Sequence, residues 1–171
     1  MPEPTRRLFF ALWPDDATRR GIIRRRELLG RISRRRVPDH NLHLTLVFLG
    51  DQPADRLQDF EALAGSLAGE ACTLELTRFG WFPGARVLWL GGEAPRPLAG
   101  LQAALHRQIL ELGVSLDERP FRPHVTLFRR VGRPPDLLDP EPLPWPVRDF
   151  VLVESVPGAP YRVVGRWPLR S

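Results

Sequence analysis

The sequence predicts an α+β fold with helices outside a mostly antiparallel sheet, and three observations lead there. Short apolar or alternating runs recur along the chain as strands. Three longer segments carry helical apolar spacing. Their order is strand, helix, strand, helix, two strands, helix, three strands, which lacks the strict strand–helix alternation of a parallel sheet.

Leu8 to Trp13 is the first strand, and Pro14-Asp15-Asp16 then opens a helix running to Leu29, its proline and acidic residues suited to a first helical turn and Gly30 to its stop. After an arginine-rich stretch, Val37 to Asn41 has turn chemistry, and Leu42 to Leu49 is a strand ending at Gly50-Asp51. A helix follows from Pro53 to Leu67. Thr73 to Phe79 alternates as a half-buried strand, Phe82-Pro83-Gly84 turns the chain, and Arg86 to Leu90 returns to complete a hairpin. Pro95 to Leu112 is helical and stops at Gly113, and the last strands are Phe121 to Phe128, Asp149 to Ser155 and Tyr161 to Trp167. The prolines crowded into Arg133 to Pro146 mark an extended connection.

With 171 residues and 43% apolar content, the chain is read as one domain, residues 1–171, with a core of its own. No run is long enough for a signal-peptide core or a membrane span, so a soluble protein without an export signal is expected. Cys72 has no partner for an internal disulfide, which fits a reducing cytoplasm. All 25 basic side chains are arginine and the net charge is +5; guanidinium forks pair bidentately with phosphate, so an anionic partner is expected. The triplets Arg24-Arg25-Arg26 and Arg34-Arg35-Arg36 either guide such a partner or form solvated faces.

One short pattern occurs twice: Leu42-His43-Leu44-Thr45-Leu46 and Pro123-His124-Val125-Thr126-Leu127. Side chains alternate across a strand, so His43 and Thr45 share one face, His124 and Thr126 share another, and the apolar residues between them turn away. A single such pair is more often an ordinary strand histidine beside a β-forming threonine; repetition shifts the balance toward chemistry. Two imidazoles can remove a proton from an attacking water and deliver one to a departing oxygen, while hydroxyls beside them stabilise charge on a phosphoryl group. Such a site needs no metal and no cofactor. The zinc alternative is thin: His40 lies across a turn from His43, His106 falls in a helix, and neither gives a recognised ligand spacing. Ser33, Ser66, Ser115 and Ser155 lack a nucleophile elbow, and no phosphate-cradling glycine loop is present. Phe9, Phe48 and Trp89 are candidates to stack on a base, against a core role for each.

These motifs, together with Arg7 to Ala11, Asn41 to Gly50, Arg86 to Trp89, Arg119 to Leu127 and the closing segment Tyr161 to Leu169, resemble the two-histidine phosphoesterases. Within them the chain is most similar to the bacterial and archaeal RNA 2′,3′-cyclic phosphodiesterases, once described as 2′-5′ RNA ligases. The resemblance implies a bilobal fold whose two similar halves face a central cleft, each contributing one motif. It implies hydrolysis of a 2′,3′-cyclic phosphate to a 2′-phosphate, with His43 the proton donor to the leaving 3′ oxygen and His124 the proton acceptor from water. Implied partners are RNA ends or small 2′,3′-cyclic nucleotides, and a monomer is the default. Ligation as the main role, or RNA binding without catalysis, remains open. Arg129 falls where the family commonly carries an arginine just after the second motif and is a candidate to bind phosphate, against a solvated arginine, yet strand parity puts it off the face of His124 unless a bulge intervenes. Phe128 occupies a position that is often small in the family, where it either narrows the cleft or fills packing space.

Overall fold

A computed structural model describes residues 3–171. Thr5–Leu12 forms β1, whose Leu8 to Leu12 are buried on both faces and therefore read as an unbroken apolar run. The helix α1, Asp16–Leu28, begins at Asp15, whose side chain accepts a hydrogen bond from Thr18 N at 2.7 Å. Next come β2, Arg35–Arg36, a 3₁₀ turn over Asp39–Asn41, and β3, Leu44–Pro53. A 3₁₀ turn leads into α2, Leu57–Ser66; then follow β4, Cys72–Leu76, β5, Arg78–Phe82, and β6, Val87–Gly91. The chain closes with α3, Arg96–Glu111, β7, His124–Arg129, β8, Leu143–Val147, β9, Asp149–Ser155, and β10, Arg162–Pro168.

The α+β expectation stands, and among the described residues the strands β1 to β10 pair antiparallel throughout. The main sheet has the order β10-β9-β1-β3-β7-β6-β5, with β2 alongside β7, and β4 and β8 form a small second sheet. Its centre is a seam: β3 and β7 meet at one register pair, Leu44 opposite Val125. The principal core, including Leu8, Phe10, Leu44, Leu101, Leu105 and Val125, lies on one side of the sheet. A smaller apolar layer of Phe9, Ala11, Val151 and Val153, with Trp13, Tyr161 and Val163 against it, lies on the other.

Three sequence expectations are corrected. Thr73 to Phe79 is not one strand: it divides at Thr77, whose N–H donates to Gly91 O at 2.8 Å, so that its first part pairs with β8 and only its second with β6. The proline-rich connection contains β8, where Pro144 and Pro146 occupy alternate positions opposite Glu75 and Thr73. Prolines two apart present their missing N–H groups to the same side, so the strand loses no ladder bond if that side is the open edge. Finally, β3 runs past Gly50 to Pro53. Between Leu8 and Phe9 of β1 the register slips by one on β3, and Gly50, at φ +72°, supplies the left-handed conformation of a bulge instead of a turn.

Candidate functional site

Because β3 and β7 are antiparallel with Leu44 opposite Val125, His43 falls across from Thr126 and Thr45 across from His124. The two motifs are thus related by a local twofold through the Leu44–Val125 pair. Both of these apolar residues are fully buried in the principal core, so the four polar side chains face the opposite side, toward the Phe9–Ala11 layer.

Each imidazole is held by the backbone two residues before it. His43 Nδ1 lies 2.7 Å from Asn41 O, and His124 Nδ1 lies 2.6 Å from Arg122 O. A carbonyl oxygen only accepts, so Nδ1–H donates in both cases and Nε2 is the nitrogen left to exchange a proton. Thr45 Oγ1 donates to His43 Nε2 at 2.9 Å; among the described residues only this motif closes on itself in that way.

Aromatic walls enclose both rings. His43 stacks on Trp13 with centroids 5.8 Å apart and an interplanar angle of 15°, and meets Phe9 at 4.9 Å and Tyr161 at 5.4 Å. His124 meets the edge of Phe82 at 5.1 Å and lies 6.0 Å from Trp89. The loss of water penalises the charged imidazolium. Burial, reinforced by the positive charges of Arg129, His124 and Arg19 and opposed by the Asn41 hydrogen bond, pushes His43 down to about 4. Burial also holds His124 below the ordinary histidine value, against the Arg122 hydrogen bond.

Arg129 reaches this environment because β7 bulges. Trp89 of β6 faces Thr126 and Leu88 faces Phe128, so Leu127 is the extra residue. Leu127 and Phe128 both enter the principal core, and Arg129 returns to the face of His124 and Thr126. The bulge that parity demanded is present, and Phe128 fills packing space. The same slip occurs in β3, between Phe10–Val47 and Ala11–Thr45, which sends Leu46 and Val47 into the core and turns Phe48 to the polar-motif face. Phe48 and Arg129 therefore occupy equivalent places on the two walls.

The three aromatic candidates separate. Phe9 is only 4% exposed and lies against His43, so it offers a wall for the imidazole and little surface to a base. Trp89, 7% exposed, has the same relation to His124. Phe48 is 49% exposed, with the Arg7 guanidinium 4.8 Å from its ring centre. His40 lies in an exposed 3₁₀ turn, and His106 Nε2 lies 3.2 Å from Asp117 O on a different element. No group of three His, Cys, Asp or Glu side chains placed to hold a metal occurs among the described residues.

Sequence reasoning missed Trp13, Tyr161, Phe82 and Arg19. Arg19 donates to Asp39 O and to Leu42 O and lies over the Trp13 ring at 5.5 Å, bracing the turn before His43. Tyr161 is tied in through its N–H, which donates to Asn41 Oδ1 at 3.1 Å. Its position at the head of the last strand was the available signal, since that segment was already part of the family pattern.

Comparison with known proteins agrees with this geometry. The family model of the 2′-5′ RNA ligase superfamily matches residues 13–158. A Thermus thermophilus protein named RNA 2′,3′-cyclic phosphodiesterase is 34% identical, with 96% of this chain and 91% of the relative covered. The Escherichia coli protein of the same name is 39% identical over 75% of this chain and 74% of its own. The crystal structure of E. coli LigT complexed with 3′-AMP superposes with a TM-score of 0.89 at 32% identity, covering 98% of this chain and all of the other. With the paired motifs, their twofold placement and these matches together, the chain belongs to the 2′-5′ RNA ligase superfamily of phosphoesterases.

Proposed function

We propose that this protein is a metal-independent RNA 2′,3′-cyclic phosphodiesterase in which His43 and His124 are the acid–base pair and Thr45, Thr126 and Arg129 hold the phosphate. The observation that carries the reading is the pair of imidazoles whose Nδ1–H groups are committed to carbonyls, leaving two Nε2 atoms to exchange protons on the strand face that also carries Thr45 and Thr126. Water gives a proton to His124 Nε2 as its oxygen forms the new bond to phosphorus. The phosphorus–O3′ bond breaks, and the departing O3′ takes a proton from His43 Nε2. The product is a 2′-phosphomonoester with a free 3′ hydroxyl.

The direction of the assignment follows the family resemblance; burial keeps His43 neutral in the free protein near neutral pH, so its donor role depends on the bound substrate. The anionic substrate supplies the field that favours charging it, and Thr45 is then free to turn its hydroxyl from Nε2 to a phosphate oxygen. Phe9 keeps the ring in place. The two halves of the sheet act as the two walls of one domain. No helix is long and apolar enough to cross a membrane.

The test is to incubate the protein with an RNA ending in a 2′,3′-cyclic phosphate in excess EDTA and to identify the product by phosphorus NMR. A 2′-phosphate made by the unmodified protein and not by a His43→Ala, His124→Ala double variant is the expected result. Equal turnover by the variant would overturn it.

A further inference from the structure

Arg34, Arg35 and Arg36 are all exposed, but they do not share one face. In the β2–β7 ladder Arg35 is directly opposite Arg129 and Arg36 directly opposite Phe128. Opposed residues project to the same side, so Arg35 shares the side of Arg129, while Arg36 shares that of Phe128. On the Phe128 side, Arg34, Arg36, Arg31, Ser33 and the buried Arg26 line a cavity of about 640 Å³, at whose rim Glu27 is the one acidic residue.

The charges there are poorly neutralised. Arg26 is committed, donating to Val37 O at 2.7 Å and pairing with Asp39. Arg31, Arg34, Arg35, Arg36 and Arg129 form no ion pair among the described residues. Like charges directly opposed on neighbouring strands destabilise a sheet, and Arg35 and Arg129 are so opposed. The strand is nevertheless fixed in place: Ser33 Oγ donates to Arg129 O at 2.6 Å and Val37 N to Leu127 O at 3.0 Å. Arginines thus stand on both sides of β2, Arg35 beside Arg129 and Arg34 and Arg36 at the basic cavity.

We propose that Arg34, Arg35 and Arg36 form a second phosphate-binding surface, which takes the internucleotide phosphates of the RNA strand leading to the cyclic end. Arg35 continues the line from Arg129, and Arg34 and Arg36 carry it into the cavity. This rests on the phosphodiesterase reading of the cleft. Its consequence is a substrate preference: an RNA strand engages both sites, whereas a cyclic mononucleotide engages only the first.

The experiment uses a fluorescent RNA of about ten nucleotides with an ordinary 3′ hydroxyl, whose binding is followed by anisotropy from about 50 to about 200 mM salt. Arg34→Gln, Arg36→Gln is expected to weaken binding about tenfold at low salt and to flatten the log–log salt slope by about 1.4, at roughly 0.7 per phosphate on a single strand. Arg34→Lys, Arg36→Lys keeps the slope, which separates charge from folding. In parallel, hydrolysis of 2′,3′-cyclic AMP by the glutamine variant stays within about twofold of the unmodified protein, while KM for a cyclic-ended RNA rises about as much as the binding weakens. An unchanged salt slope, or an equal rise in KM for both substrates, would overturn the surface. Binding needs no turnover, so intact salt-dependent binding without hydrolysis would fault the catalytic reading alone.

Discussion

Arg129 lowers the proton affinity of His43 from the other side of the seam between β3 and β7, although the two residues belong to different motifs. Burial is the larger cause of that shift; the guanidinium adds to it, and so has two effects, attracting an anion and disfavouring the charged imidazole. Arg129→Gln is expected to raise the pKa of His43, read by proton NMR of the ring, and to lower kcat/KM by about 10- to 100-fold through loss of a charge-assisted phosphate contact. A fall in kcat/KM with no movement of the His43 titration would break the link between the two effects.

Single replacement of His43 or His124 by alanine should cost about 10²- to 10⁴-fold in kcat, and the double variant should lose far less than the product of the two. Residues acting on one transition state are not independent. Strict multiplicativity in steady-state rates would argue that the imidazoles serve separate steps.

Catalysis by one charged and one neutral imidazole gives a bell-shaped pH profile, and both pKa values lie below the ordinary 6.5. The maximum of kcat/KM should accordingly fall below pH 6.5. A plateau extending through neutral pH would contradict it.

The same displacement affects stability. In the unfolded chain His43 titrates near 6.5 and in the fold near 4, so as pH falls the unfolded state takes up the proton first. Stability present above pH 6.5 is lost as the pH falls toward 4, by on the order of 3 kcal/mol from this group. Thermal melts should show His43→Gln with a shallower decline over that interval.

Gly80 faces Trp89 across the β5–β6 ladder, and a Cβ on it would stand 2.1 Å from the indole ring. Gly80→Ala should displace the ring that supports His124, destabilise the fold by about 1–3 kcal/mol and reduce kcat more than it raises KM. Unchanged kinetics with lowered stability would mean that Trp89 has no part in positioning His124.

The sequence made the four polar residues of the paired motifs legible because a two-residue alternation says which face each occupies before any partner strand is known. It could not say the same of Arg129 or Phe48. Both lie beyond a bulge, and a bulge is a property of the pairing of two strands, β7 with β6 and β1 with β3, rather than of either segment. The anchors of the imidazoles were hidden for another reason: Asn41 O and Arg122 O are backbone atoms, which any residue would supply. Trp13, Tyr161 and Phe82 are aromatics whose location depends on chain packing, and a proline-rich sequence such as Leu143 to Val147 reads as a connection until β4 is placed beside it.

The Leu44–Val125 pair gives the seam a further property. Moving either strand by one residue would send its leucines or valine into water and its histidine and threonine into hydrocarbon, undoing packing and chemistry in a single event. An active molecule is therefore already a correctly paired one. Misregistered copies, having no way to keep a solid interior, would fall to the cell's quality control instead of persisting as folded but inert protein.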